Sequence, residues 1–146
     1  MLKRYTFWFS AAILFQLLTG LFHALSFFVT PVPVGEVERQ MLELMTTYKM
    51  DMGAGFTPTF YNLFTALSSC FTFLCIFAGL VNGYLLFKHT EPAIMKGIIG
   101  INLGVFAFVF AMMAYFTFLP PVVCTGLIVF NLLAAFIVVP KIESAV

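Results

Sequence analysis

Charged side chains are scarce in this sequence. Only 9% of its 146 residues are Asp, Glu, Lys or Arg, whereas about a quarter of the residues of a typical soluble protein are charged. The basic residues are scattered and the net charge is +1, so the sequence lacks the basic patch that nucleic-acid binding requires. Because 62% of the residues are hydrophobic, the composition indicates a protein whose partner is the lipid bilayer.

Metal ligands and reactive pairs are also few. The three cysteines, Cys70, Cys75 and Cys124, lack C-x-x-C spacing, and Cys70 and Cys75 lie on different sides of a helix, where they cannot bridge each other. His23 is the only histidine within a long apolar run, and no carboxylate lies within one. We therefore predict no disulfide, no metal site, no cofactor and no enzymatic activity.

Long apolar runs, by contrast, make up most of the chain. Each is at least 18 residues long, and Lys96 is the only Asp, Glu, Lys or Arg within them. Runs of this length are sufficient for a helix to cross about 30 Å of hydrocarbon. The sequence predicts an all-α membrane protein, a single domain over residues 1–146 with four transmembrane helices in an up-down bundle. The predicted helices cover residues 5–28, 59–87, 93–118 and 122–139.

The connection between the first two predicted spans has an amphipathic pattern over residues 34–50. Its apolar positions are Val34, Val37, Met41, Leu44, Met45 and Tyr48. Its polar positions are Glu36, Arg39, Gln40, Glu43 and Thr47. This periodicity predicts a short amphipathic helix that lies on the outer membrane surface or caps the bundle, with Arg39 and Glu43 spaced to pair. The segment DMGAGFTP that follows is predicted to be a flexible return, and LPP to be the third loop.

The distribution of charge predicts the orientation. Five basic residues fall on the side that holds both termini and the second loop: Lys3, Arg4, Lys88, Lys96 and Lys141. The opposite side holds two basic and four acidic residues: Arg39, Lys49, Glu36, Glu38, Glu43 and Asp51. Positive charge favours the cytoplasmic side. We therefore expect both termini in the cytoplasm, in a bacterial inner membrane.

Small residues predict where helices pack. In lipid, helices associate through close backbone approach, so Gly and Ala mark the contacts. The third span carries a stripe of six: Gly97, Gly100, Gly104, Ala107, Ala111 and Ala114. The second span carries Gly79 and Gly83 on one side. We expect the two stripes to form a seam between the second and third spans; a contact with another subunit is the alternative.

Polar residues in the spans predict a pocket or hydrogen bonds between helices. Gln16, Thr19, His23 and Ser26 share one face of the first helix, which must point into protein or a wet crevice. At the depth of His23 and Ser26 we expect five further side chains: Tyr61, Asn62, Thr65, Tyr115 and Thr125. These residues either form an outward-facing pocket with His23 as ligand or proton carrier, or leave a neutral His23 bonded to Asn62 or a backbone carbonyl. An inner polar layer is predicted from Asn82, Asn102 and Asn131.

The segments LFHALSFF and GAGFTPTFYNLFTAL, separated by a proline-containing amphipathic loop, resemble a family of short bacterial integral membrane proteins with four helices. In that family the first helix has a Gly-His-Thr element and the second a Phe-Tyr-x-Gly-Phe-like element. Here Phe22 and Ala24 flank the histidine, and Leu63 stands at the position of the glycine. The resemblance implies a fold and no established activity.

These observations favour a structural or accessory membrane protein, for which we expect a place as a subunit of a larger complex, with its small-residue faces toward other membrane subunits. The alternative is a small-molecule binder or transporter that uses the pocket around His23. A membrane enzyme ranks third, because reactive groups are so few.

Overall fold

The computed structural model describes residues 4–29 and 31–140, and this part of the chain contains five α-helices. They are α1 (Tyr5–Leu25), α2 (Glu36–Thr47), α3 (Phe60–Phe87), α4 (Pro92–Phe116) and α5 (Leu119–Val138). The four long helices, α1, α3, α4 and α5, are long and apolar enough to cross a membrane, which indicates a multi-pass membrane protein.

The predicted spans are confirmed as helices, with shifts at their ends. Helix α5 begins at Leu119 instead of residue 122, because Pro120 and Pro121 occupy its first turn. A proline is well tolerated there, since its missing N–H is unpaired in any first turn. The connection before α5 is therefore residues 117–118, not LPP, and α4 ends at Phe116.

Near the start of the chain, α1 ends at Leu25 and continues into a 3-10 turn (Ser26–Phe28), where an α-helix to residue 28 was predicted. The helix predicted over residues 34–50 is shorter, because the extended backbone of Gly35 and Tyr48 bounds α2 at Glu36–Thr47.

The segment after α2 forms the predicted return as a turn with backbone hydrogen bonds, and its flexibility stays a prediction. The Met50 amide donates to the Pro58 carbonyl and the Met52 amide to the Phe56 carbonyl, both at 3.0 Å. Positive φ angles at residues 53–55 close the turn between them, and two of those three residues are glycines that adopt this conformation easily. We call this hydrogen-bonded segment, residues 49–59, the outer turn.

The long helices are arranged in the order α3, α1, α5, α4. Helix α1 packs against α3 on one side and α5 on the other, and α4 packs against α5. Ten apolar side chains are buried among them: Phe9, Ala12, Cys75, Met95, Ile99, Phe106, Ile128, Leu132, Ala135 and Val139. The three cysteines are free thiols.

Helices α3 and α4 contact each other only sparsely, although four residues, 88–91, connect them. The prediction of a seam between them was therefore wrong. Gly79 of α3 instead faces Leu17 of α1, and Gly100 of α4 faces Phe136 of α5. A small residue marks close approach but does not specify the neighbour, which here is a large side chain of another helix.

Candidate functional site

Three amide side chains from three different helices meet inside the bundle. Asn82 of α3 donates through Nδ2 to Gln16 Oε1 of α1 (3.0 Å) and to Asn102 Oδ1 of α4 (2.9 Å). Asn102 Nδ2 donates back to Asn82 Oδ1 (3.2 Å), and Gln16 Nε2 donates to Asn102 Oδ1 (3.3 Å). We call Gln16, Asn82 and Asn102 the amide cluster.

The amide cluster satisfies its own polar atoms. Asn102 Nδ2 donates a further hydrogen bond to the Ile98 carbonyl of its own helix (2.9 Å). Gln16 and Asn82 are buried, and no buried side-chain nitrogen or oxygen among the described residues lacks a partner. In an apolar environment an unpaired amide is costly. The arrangement therefore holds α1, α3 and α4 together at a level where α3 and α4 make few other contacts.

The prediction of an inner polar layer was correct for Asn82 and Asn102 and wrong for Asn131. Asn131 Nδ2 donates to the Leu127 carbonyl of its own helix (2.8 Å). Sequence reasoning missed Gln16 as the third member, although its presence on the polar face of the first helix was a usable signal. The missing information was the rotation of α1 that turns Gln16 toward Asn82.

His23 lies in a separate contact between α1 and α3. Its Nδ1 is 3.0 Å from Thr72 Oγ1, in a hydrogen bond whose direction depends on the tautomer. The rings of Phe27 and Phe71 approach the imidazole edge-on, with centroids 5.6 Å and 5.1 Å away. The imidazole thus bonds to a threonine side chain, and neither Asn62 nor a backbone carbonyl, the two predicted partners, is that partner.

The close approach of the helices explains this partner. A Cβ added to Gly20 of α1 would lie 3.2 Å from the Thr72 carbonyl oxygen and 2.7 Å from Ile76 Cγ1. Gly20 therefore brings the two backbones together one turn from His23. Gly20, which lies between Thr19 and His23 in the sequence, is the signal that indicates this contact.

The other residues of the predicted pocket do not join His23. Ser26, Thr65 and Thr125 each donate a hydroxyl hydrogen bond to the backbone of their own segment, to His23, Tyr61 and Pro121 respectively. Asn62 and Tyr115 are exposed, Tyr61 is half-buried and Thr125 is buried. No hydrogen bond or ring contact links any of these side chains to the imidazole in the described part of the chain.

Two open apolar cavities lie away from His23. One of about 510 Å³ is on the outer surface of α3, between Cys70 and Leu80. The other, of about 630 Å³, is formed by the outer turn and the start of α3, and includes Met52, Phe56 and Leu63. Each is lined almost entirely by apolar side chains. Neither has the convergent polar groups that specify a small-molecule ligand.

The small-residue stripe of α4 is only partly covered. A Cβ added to Gly100 would lie 3.2 Å from Phe136, and Ala107 is half-buried. Gly97 and Gly104 are exposed, and a Cβ added to either would meet nothing within 4 Å. Ala111 and Ala114 are exposed as well. We call the four exposed positions, Gly97, Gly104, Ala111 and Ala114, the open face of α4.

The polar side of α2 has its own ion pairs. Arg39 donates to both carboxylate oxygens of Glu36, at 2.9 Å and 2.6 Å, and lies 3.5 Å from a carboxylate oxygen of Glu43, the predicted pair. Hydrogen bonds from Arg39 and then Gln40 lower the pKa of Glu36, and the bond to Glu36 raises the pKa of Arg39. These contacts leave the charged side chains of α2 exposed.

Comparison with known proteins adds no relative. No family model, curated protein or solved structure matches this chain. The resemblance to short bacterial four-helix membrane proteins therefore stays a prediction, and function has to be argued from the packing of the helices.

Proposed function

We propose that this chain is a structural or accessory subunit of a larger complex in a bacterial inner membrane. The observation that carries the proposal is the open face of α4. In lipid, small residues favour close packing of helices, yet the described part of the chain places no side chain against Gly97 or Gly104. A transmembrane helix of another subunit is the partner we propose for this face.

We further propose an up-down order of the four spans with both termini in the cytoplasm. Contacts between neighbouring helices support the up-down order, because they pair residues near the start of one helix with residues near the end of the next, as in antiparallel helices. Thus Gly100 and Phe110 of α4 contact Phe136 and Gly126 of α5, respectively. The excess of basic residues on the side of the termini supports the orientation. Two of them, Lys3 and Lys141, lie outside the described residues.

A non-enzymatic role is part of the proposal. The polar side chains inside the bundle form hydrogen bonds to each other or to their own helices. His23 is the only histidine in the predicted spans, and the spans contain no Asp or Glu that could act with it. A catalytic nucleophile is activated by an adjacent base, a lowered pKa or a metal ion, and the spans contain no carboxylate that could serve as such a base. The amide cluster fits a role in joining helices.

The test is purification of the tagged full-length chain from bacterial membranes in a mild detergent, with identification of the chains that copurify. We expect a membrane subunit that is retained by the wild-type chain and lost from Ala111→Leu, which adds bulk to the open face of α4. Ala66→Leu makes the same change at an exposed position of α3 and should retain the subunit. A wild-type chain that purifies alone contradicts the proposal.

The alternative, a small-molecule binder or transporter that uses His23, has less support. The half-buried imidazole is the observation in its favour, since an ionisable side chain within a span is often functional. Of the predicted pocket residues, however, Ser26, Thr65 and Thr125 donate their hydroxyl hydrogen bonds to backbone carbonyls and not to the imidazole. A selective loss of uptake of a ligand in His23→Ala, with folding unchanged, would favour this alternative over the accessory role.

A further inference from the structure

The helix α2 has an apolar side that no other part of the described chain covers. Val37, Met41 and Leu44 are 80%, 57% and 63% exposed. At 3.6 residues per turn these three side chains lie within about 60° of each other around the helix axis. We call Val37, Met41 and Leu44 the apolar face of α2.

The remaining sides of α2 are occupied by protein or by charge. Leu42 and Met45 of α2 are half-buried, and α2 contacts α3. Glu36 and Arg39 form an exposed ion pair outside the apolar face, about 110° and about 170° from its centre around the helix axis at 3.6 residues per turn. Helix α2 therefore has a protein side, a charged side and an uncovered apolar side.

The outer turn exposes a second apolar patch on the same connection. Met52 and Phe56 are held opposite each other by the backbone hydrogen bond from the Met52 amide to the Phe56 carbonyl (3.0 Å). Their side chains are 61% and 70% exposed. An ordered turn that presents Met and Phe outward is unfavourable in water.

Both ends of the connection that carries these patches begin at exposed apolar side chains. The connection starts after the 3-10 turn that ends at Phe28 and enters α3 at Phe60, and both phenylalanine rings are exposed. If α1 and α3 cross the bilayer, lipid therefore lies next to both ends of the connection. Amphipathic helices with one charged side and one apolar side lie in the membrane–water interface with the apolar side among the acyl chains.

We propose that α2 and the outer turn lie in the membrane–water interface, with the apolar face of α2 and the Met52–Phe56 patch inserted into lipid. The partner is the phospholipid surface itself. The charged side, with Glu36, Arg39 and Glu43, faces water and prevents deeper insertion. Because this placement needs only the four spans and lipid, it does not depend on a partner subunit.

The test uses the full chain in phosphatidylcholine vesicles with one tryptophan per variant. Trp8 is first replaced by Phe, which keeps an aromatic ring at its contacts with Phe7 and Phe130. Tryptophan is then introduced on the apolar face as Met41→Trp and on the charged side as Glu43→Trp. Fluorescence quenching is measured with phosphatidylcholine brominated high on its acyl chains and, separately, with acrylamide in the water.

We expect several-fold stronger quenching of Met41→Trp than of Glu43→Trp by the brominated lipid, and the reverse order with acrylamide. Equal quenching of the two variants by acrylamide would overturn the proposal, because the apolar face would then be in water. Weak quenching of Met41→Trp by both agents would also overturn it, since another copy of the chain would then cover the face.

A second variant, outside α2, keeps the test decisive if a substitution in α2 prevents that helix from folding. Phe56→Trp exchanges one aromatic ring for another at the outer turn, and the proposal expects it to be quenched by the brominated lipid as well. If Met41→Trp loses helix content by circular dichroism, the result for Phe56→Trp decides. Strong acrylamide quenching of a folded Phe56→Trp variant would overturn the proposal.

Discussion

Gly79 of α3 lies so close to Leu17 of α1 that a Cβ added to Gly79 would be 2.7 Å from Leu17 Cδ2 and 2.8 Å from Leu17 Cγ. Real Cβ atoms essentially never approach to that distance, so a side chain at Gly79 would require Leu17 to move or the two helices to separate. The contact shows how a small residue determines the spacing of two helices in this bundle.

The first prediction concerns this contact. Gly79→Ala should cost about 1–3 kcal/mol of unfolding free energy, because the added methyl group has to displace Leu17 or separate the helices. Gly104→Ala is the matched control, since a Cβ there meets nothing within 4 Å. Denaturant titration of both variants in detergent, monitored by circular dichroism, measures the difference. Equal losses in the two variants would contradict this account of the packing.

The second prediction concerns the amide cluster. Asn82→Ala removes the partner of Gln16 Oε1 and both bonds to Asn102, so it should cost about 1–3 kcal/mol through the unpaired amides left behind. Asn131→Ala breaks only a bond to its own helix and should cost less. A double-mutant cycle between Gln16→Ala and Asn82→Ala should give a coupling energy of about 0.6 kcal/mol. A coupling energy of zero would show that the two side chains do not stabilise each other.

The third prediction concerns the partner of His23. Thr72→Val keeps the shape of the side chain and removes its hydroxyl, so it should cost about 0.6 kcal/mol and shift the imidazole nitrogen resonance of Nδ1 in NMR spectra. Thr65→Val removes a hydroxyl that bonds only to the Tyr61 carbonyl. That control should leave the imidazole resonances unchanged. An Nδ1 resonance that is the same in wild type and Thr72→Val would contradict the observed bond.

The fourth prediction concerns pH. Hydrogen bonds from Arg39, and then Gln40, lower the pKa of Glu36. A carboxylate whose pKa is lowered in the folded chain stabilises that fold above its unfolded pKa of about 4.3, and this contribution is lost as pH falls through the lowered folded value. The ordering of α2 should therefore weaken in acid. In Arg39→Ala the pKa of Glu36 should rise toward its ordinary value.

An NMR titration of the Glu36 side-chain carboxyl carbon measures that pKa in wild type and variant. Thr46→Ala is a control on the same helix, because the Thr46 hydroxyl bonds only to backbone carbonyls. It should leave the pKa of Glu36 where it is in the wild type. A pKa of Glu36 that does not rise in Arg39→Ala would show that the ion pair does not form in solution.

Predictions from the sequence were correct for features that depend on residues close together along the chain. The four apolar runs predicted four long helices, because a run of apolar side chains must be helical to satisfy its backbone inside a bilayer. The amphipathic pattern after Pro33 predicted a helix, and α2 is present at Glu36–Thr47. Its position at the membrane surface remains a proposal. The predicted end of α1 and the predicted start of α5 were less accurate. The last turn of the first span is a 3-10 turn, and the first turn of α5 contains Pro120 and Pro121.

Predictions from the sequence were wrong where the outcome depends on which helices, and which side chains on them, pack against each other. Asn82 and Asn102 were expected to share a layer, but their common partner Gln16 was not identified, because a polar face does not say which helix it meets. The pairing of Gly79 with the α4 stripe failed for the same reason. His23 was expected near Asn62, whereas the close approach at Gly20 brings Thr72 to it.

The sequence by itself therefore determined the number of spanning helices, their lengths and the polar residues that must avoid lipid, because hydropathy and backbone hydrogen bonding act along the chain. Only the tertiary structure decided that α1 lies between α3 and α5, that Gln16 joins Asn82 and Asn102, and that no described residue covers Gly97 or Gly104. Those outcomes depend on the rotation of each helix about its axis, which is determined by the fit of large side chains against small ones on neighbouring helices.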